Sequence, residues 1–259
     1  MSINLWQGLV IFAAAFVAGM MNSVAGGGTL LTFPALIWIG MDPKAANVTS
    51  TVALWPGSLG GMFGFRRELR NSRRWMLLLT PSSIAGGLIG ALLLLRTPSE
   101  TFASIVPFLI LFATVLFAVG EPLSKLLRRK NRETDENEVS RSWWIAAAVI
   151  QLFSAIYGGY FGAGNGIVML AVLGLMGLSD IHQMNGLKNY FAMCINLIAA
   201  VYFILCGPVK WGAAIVMTAG AIAGGYGGAG IARKMGRNFA RRAVIAVGLA
   251  MAVSLLFRR

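Results

Sequence analysis

Charge is what this sequence is short of. Only 12% of its 259 residues are Asp, Glu, Lys or Arg, where a soluble globular domain carries roughly a quarter. Too little charge remains to clothe a water-facing surface, which excludes a soluble enzyme and a disordered tail. Acidic residues are scarcest, 9 against 22 basic ones. Histidine occurs once, as His182. The two cysteines, Cys194 and Cys206, share one apolar stretch; that spacing suits neither a metal site nor a secreted disulfide framework. The embedded carboxylates are only Asp42 and Asp180, too few for a metal centre, so no metal is expected. GxSxG, HExxH and a phosphate loop ending in Gly-Lys-Ser/Thr are all missing. Hydrolase chemistry and an ATPase motor within the chain are thereby excluded; no enzyme is expected and no cofactor is called for.

What the chain has in plenty is apolar surface. Hydrophobic residues make up 57% and glycine contributes 32 positions, with a mean hydropathy of +0.73. This is the composition of an integral membrane protein. Apolar stretches run over residues 5–25, 29–40, 45–65, 75–95, 102–120, 143–162, 166–178, 189–206, 211–232 and 243–257. A helix needs about 20 residues to cross the hydrocarbon core. The stretches at 29–40 and 166–178 are too short, and a glycine cluster precedes each: Gly26-Gly27-Gly28 and Gly164-Asn165-Gly166. Broken or re-entrant helices have this signature. The fold expected is an all-α membrane protein of about 8–10 transmembrane or re-entrant helices. The N-terminal segment, with no basic region or cleavage site, reads as the first membrane helix rather than a signal peptide.

The net charge of +13 sits mostly in three runs, Arg66 to Arg74, Lys125 to Arg141 and Arg233 to Arg242. Each lies between long apolar segments, as the positive-inside rule places cytoplasmic loops. None is interleaved with aromatics as a nucleic-acid face would be, so no nucleic-acid partner is expected and the lipid bilayer is.

The chain also repeats itself. At a constant offset of 138, Ala25, Gly26 and Gly28 fall on Ala163, Gly164 and Gly166, Asp42 on Asp180, and Asn47 on Asn185. The block Ile84-Ala85-Gly86-Gly87 falls on Ile222-Ala223-Gly224-Gly225. Asp and Asn are rare here, so their coincidence carries more weight than matched Ala or Gly. The organisation is a first repeat over 1–123, a cytoplasmic linker over 124–142 and a second repeat over 143–259. Positive charge follows the third stretch in the first half and the fourth in the second half. The halves are then expected in opposite orientations, an inverted-topology repeat of the kind secondary transporters use. Both termini and Asp42 would lie outside and Asp180 inside.

Glycine clusters let backbone approach a ligand closely, and a helix starting after one aims N–H groups and a positive dipole end at it. Gly26, Gly27, Gly28 and Thr29 from one half, with Gly164, Asn165 and Gly166 from the other, are the expected substrate-binding ends. Asn47, Thr49 and Ser50, and Asn185, Lys188 and Asn189, make the following segments polar, and neutral amides and hydroxyls bind an anion at small desolvation cost. Asn22 and Ser23 would line the same cavity or cap a helix. Lys188 would balance an anion's charge or snorkel to the interface. His182 titrates in the range needed for proton coupling, with Asp42 and Asp180 as relays; alternatively His182 is a plain loop residue and the aspartates cap helices.

The segment AGMMNSVAGGGTLLTFPALIWIGMDPKAANVTST and its echo YGGYFGAGNGIVMLAVLGLMGLSDIHQMNGLKN resemble the TauE/SafE family of sulfite and organosulfonate permeases, over nearly the whole chain. The resemblance implies a multi-pass protein of the bacterial inner membrane. It implies secondary transport of a small sulfur-containing anion such as sulfite or sulfoacetate, with a proton or sodium gradient as the driving force. Asn165 within the second glycine cluster, and Leu187-Lys188 where the first repeat has Thr49-Ser50, depart from internal symmetry and leave the substrate open. A channel-like pathway for anions or metal ions, and a non-transporting membrane scaffold or assembly factor, are the alternatives.

Overall fold

The structure, a computed structural model, describes residues 4–24, 27–64, 69, 72–130, 141–178, 180–235 and 237–257. Among them are ten α-helices and no strand. The first half contributes α1 (Leu5–Val24), α2 (Thr29–Trp38), α3 (Pro43–Gly64), α4 (Arg73–Arg96) and α5 (Ser99–Lys130). The second contributes α6 (Arg141–Tyr160), α7 (Asn165–Leu175), α8 (Ile181–Cys206), α9 (Trp211–Met235) and α10 (Arg237–Phe257). Five of these, α1, α4, α5, α6 and α8, are long and apolar enough to cross a membrane. Leu9, Leu77, Phe108, Ile145, Phe153 and Leu205 lie exposed on their flanks, the outward apolar surface that lipid covers.

Helices α2 and α7 have 10 and 11 residues. At about 1.5 Å per residue they span roughly half of the hydrocarbon core. They end alike. Gly40 (φ 87°) and Gly177 (φ 92°) turn the chain through left-handed backbone. Met41 N–H donates to Leu36 O and Leu178 N–H to Leu173 O, the bond that closes a Schellman cap.

Two helices extend past their apolar stretches. Helix α8 starts at Ile181 because the Asp180 carboxylate accepts from His182 N–H at 2.8 Å, and polar side chains do not hinder a capped helix. Helix α5 runs to Lys130 because Lys-Leu-Leu-Arg-Arg-Lys is a strong helix-forming string whatever its hydropathy.

Packing follows the duplication. Helix α1 packs most extensively on α9, and α6 on α4; α3 touches α9 as α8 touches α4, and α2 touches α10 as α7 touches α5. Helices α3 and α8 meet each other, as do α5 and α10. The extensive contacts have their counterparts when the halves are exchanged, an arrangement compatible with inverted repeats. Apolar surface gives helices no reason to associate in lipid, so small residues bring backbones together. A Cβ on Gly86 would lie 2.6 Å from both Ala155 Cβ and Leu152 O, and one on Gly90 2.7 Å from Tyr160 N. Across the other seam, a Cβ on Gly220 would lie 2.6 Å from Phe12 O. In each seam the two helices run parallel.

Candidate functional site

A cavity of about 60 Å³ lies where the starts of α2 and α7 approach the middle of α3 and α8. Helix α3 lines it with Thr51, Leu54, Gly57 and Ser58, and α8 with Lys188, Asn189, Ala192 and Asn196. Thr51 and Asn189, Leu54 and Ala192, and Ser58 and Asn196 are each separated by the offset of the duplication. Positions three and four apart share one helical face, so both repeats present the same face to one space. Gly27 and Thr29 at the start of α2, and Asn165 and Gly166 at the start of α7, also line it, with Asn22 and Gly162. Two positive dipole ends therefore converge there.

Each group is held by its neighbours. Gly28 N–H donates to Asn22 Oδ1 at 2.8 Å, which engages the oxygen of that amide. A Cβ on Gly28 would come within 2.7 Å of Ala18 O and 2.9 Å of the Asn22 amide, so the close approach requires glycine. Gly164, the residue before α7, has a left-handed φ of 72°. Ser154 Oγ donates to Asn165 Oδ1 at 3.4 Å, at the long end of hydrogen bonding. Asn189 is 93% buried by its 7% exposure, and its Nδ2 has no hydrogen-bond partner among the described residues. A buried amide donor in that state wants a ligand or a water.

Lys188 is 1% exposed. A snorkelling lysine reaches for the surface, whereas this one lies buried and lines the cavity. A buried lysine is costly without a compensating anion or dipole. The described lining has this one cation and no carboxylate. The space takes roughly four waters at about 15 Å³ each, and its electrostatics favour an anion.

Of the residues expected to bind substrate, Asn22, Gly27, Thr29, Asn165, Gly166, Lys188 and Asn189 meet at this cavity. Others turn away from it and hold helices together. Asn47 Nδ2 donates to Tyr160 O at 2.9 Å, tying α3 to α6. Thr49 Oγ1 accepts from Lys210 N–H at 3.1 Å, and Ser50 shares a 2.6 Å hydrogen bond with Thr32 of α2. Asn185 Nδ2 donates to Ile181 O within α8. Gly28 and Gly164 support the turns beside the cavity without lining it. Gly26 and the Ser23 side chain lie outside the described residues. Asp42 accepts from Ala45 N–H at 3.1 Å and caps α3, as Asp180 caps α8; neither they nor the exposed His182 line the cavity.

Thr51, Leu54, Gly57, Ser58, Gly162, Ala192 and Asn196 were not anticipated from sequence. The signal for most of them was present in the offset, carried two turns further along α3 and α8.

The model of the sulfite exporter TauE/SafE family matches residues 11–255. A probable membrane transporter protein of Haemophilus influenzae is 28% identical over 252 residues, covering 96% of this chain and 94% of the relative. A second, from Sinorhizobium, is 26% identical and covers 95% of this chain and 91% of its own length. The probable membrane transporter protein YfcA of Escherichia coli is 28% identical over 96% of this chain and 89% of its own length. No solved structure matches.

Proposed function

The chain belongs to the TauE/SafE sulfite exporter family of membrane transporters, and on that footing we propose that it is a secondary transporter of small sulfur-containing anions, sulfite or an organosulfonate such as sulfoacetate. The cavity between the equivalent faces of α3 and α8 is the observation that carries this reading. Two helix starts supply about half a positive charge each and Lys188 supplies a full one, together suited to a dianion. Sulfite, one sulfur with three oxygens, suits a space of about 60 Å³; sulfoacetate adds a carboxymethyl arm and needs the cavity to widen.

In this reading the halves sit in the inner membrane with opposite orientations. Exchanging their conformations opens the shared cavity to one side and then the other. A proton or sodium gradient drives the cycle. The single histidine, His182 at the exposed start of α8, is the residue this reading assigns to proton coupling.

The test is uptake by proteoliposomes of sulfite, thiosulfate, sulfate, sulfoacetate and taurine. Saturable sulfite uptake that exceeds taurine uptake, and that collapses with the ion gradient, is expected. Uptake of every anion at the level of protein-free vesicles would refute the proposal, and so would a preference for zwitterionic taurine.

A further inference from the structure

A second pocket, of about 420 Å³, lies where α4 and α6 begin and shares no lining residue with the cavity between α3 and α8. Its lining is Arg74, Leu77 and Leu78 from α4 and Arg141 and Trp144 from α6. The two arginines stand exposed on the first turns of two parallel helices, one from each half. Both helix starts add positive dipole ends to the same mouth, and no carboxylate is in the described lining. One turn further on, Leu77 is 68% and Leu78 43% exposed. The pocket is therefore cationic at its mouth and apolar along its wall.

Aromatic rings fix its depth. Trp75, Trp143 and Trp144 pack edge to face at 4.9–5.6 Å, and the Arg74 guanidinium lies 5.3 Å from the Trp144 ring centre. Tryptophans gather at the level of lipid headgroups. Trp144 is buried, and its indole N–H has no hydrogen-bond partner among the described residues. The basic runs Arg66 to Arg74 and Lys125 to Arg141 adjoin this end of both helices, which puts it on the cytoplasmic side, where anionic lipids concentrate.

The duplication provides an internal control. Helices α1 and α9 form the equivalent seam, and tryptophans again stand near its helix starts, at Trp6 and Trp211. At the sequence positions equivalent to Arg74 and Arg141 the chain has Gly212 and Ile3, with Lys210 just before α9, so this pairing of helices needs no arginine at those two positions.

We propose that the pocket binds an anionic phospholipid. Its phosphate sits between the Arg74 and Arg141 guanidinia and its acyl chains lie along Leu77 and Leu78. A planar guanidinium pairs with phosphate through two parallel hydrogen bonds, so a lipid held this way staples the seam between the two halves.

The experiment is thermal unfolding of the full chain in detergent, titrated with phosphatidylglycerol, with phosphatidylcholine of the same chains, or with inorganic phosphate. Phosphatidylglycerol should stabilise at about thirtyfold lower concentration than phosphatidylcholine, each arginine contributing about fivefold, while inorganic phosphate has no effect at matched concentration. Arg74→Gln with Arg141→Gln should abolish the preference. Leu77→Glu, which keeps both arginines and places a carboxylate on the wall, should weaken it at least fivefold and guards against mis-insertion of the double variant. Equal stabilisation by the two lipids, a preference that survives both variants, or an equal response to inorganic phosphate would overturn the proposal.

Discussion

Replacing Lys188 with Met removes the one cation among the described residues lining the cavity between α3 and α8. An anion about 4 Å from that ammonium gains about 4 kcal/mol at an effective dielectric constant near 20, or roughly three decades of affinity. Cavity water and the remaining donors of Asn165, Asn189 and Asn196 reduce the loss, so about a hundredfold weaker binding of a monoanion is expected. A dianion is attracted twice as strongly by the same charge and should lose correspondingly more. Lys188→Arg keeps the charge in a bulkier form and should retain part of the transport. The assay pairs the concentration dependence of sulfite uptake in proteoliposomes with thermal unfolding of the same preparations. A folded Lys188→Met protein whose apparent sulfite affinity is within threefold of the parent's would refute the reasoning.

Asn196→Leu places an apolar side chain opposite Ser58 in a cavity of only about 60 Å³; it should abolish sulfite uptake while leaving the unfolding temperature unchanged, and normal uptake would place the path elsewhere. Ser50→Ala removes the 2.6 Å hydrogen bond to Thr32, which should cost about 1 kcal/mol and lower the unfolding temperature while sulfite affinity stays within twofold. In a background with Cys194 and Cys206 replaced, an impermeant thiol reagent outside intact cells should label Ser99→Cys and spare Ser142→Cys. Both positions are exposed, whereas Ser72 is fully buried and would be silent on either side. Labelling of Ser142→Cys from outside would remove the opposite orientation of the halves.

Much of the fold was legible because it rests on length and repetition. The short stretches behind their glycine clusters became α2 and α7 with matching Gly40 and Gly177 caps, and the offset that aligns Asp42 with Asp180 also aligns the helix starts. The site was legible only in part, because polarity in a sequence does not say which way a helix face is turned. Successive residues of a helix point about 100° apart. Within Asn47-Val48-Thr49-Ser50-Thr51, Thr51 thus reaches the cavity while Asn47 meets Tyr160, Thr49 meets Lys210 and Ser50 meets Thr32. Lys188 stands where Ser50 does in the other repeat, and its longer side chain reaches the cavity that Ser50 does not. Ser58 and Asn196 lie inside apolar runs, where one polar side chain carries little signal by itself; their matched register two turns beyond Thr51 and Asn189 is what distinguishes them.

On this reading a small oxyanion binds between the equivalent faces of α3 and α8. Selenite has the shape and charge of sulfite, and its selenium is an anomalous scatterer, so it locates the site directly. Crystals of the protein grown with selenite should show one selenium peak in the cavity, its oxygens about 2.9 Å from hydrogen-bonding nitrogens, with Lys188 Nζ and Asn189 Nδ2 among them. Selenium bound only outside the cavity, or an empty cavity at a selenite concentration that fully inhibits sulfite uptake, would contradict the account.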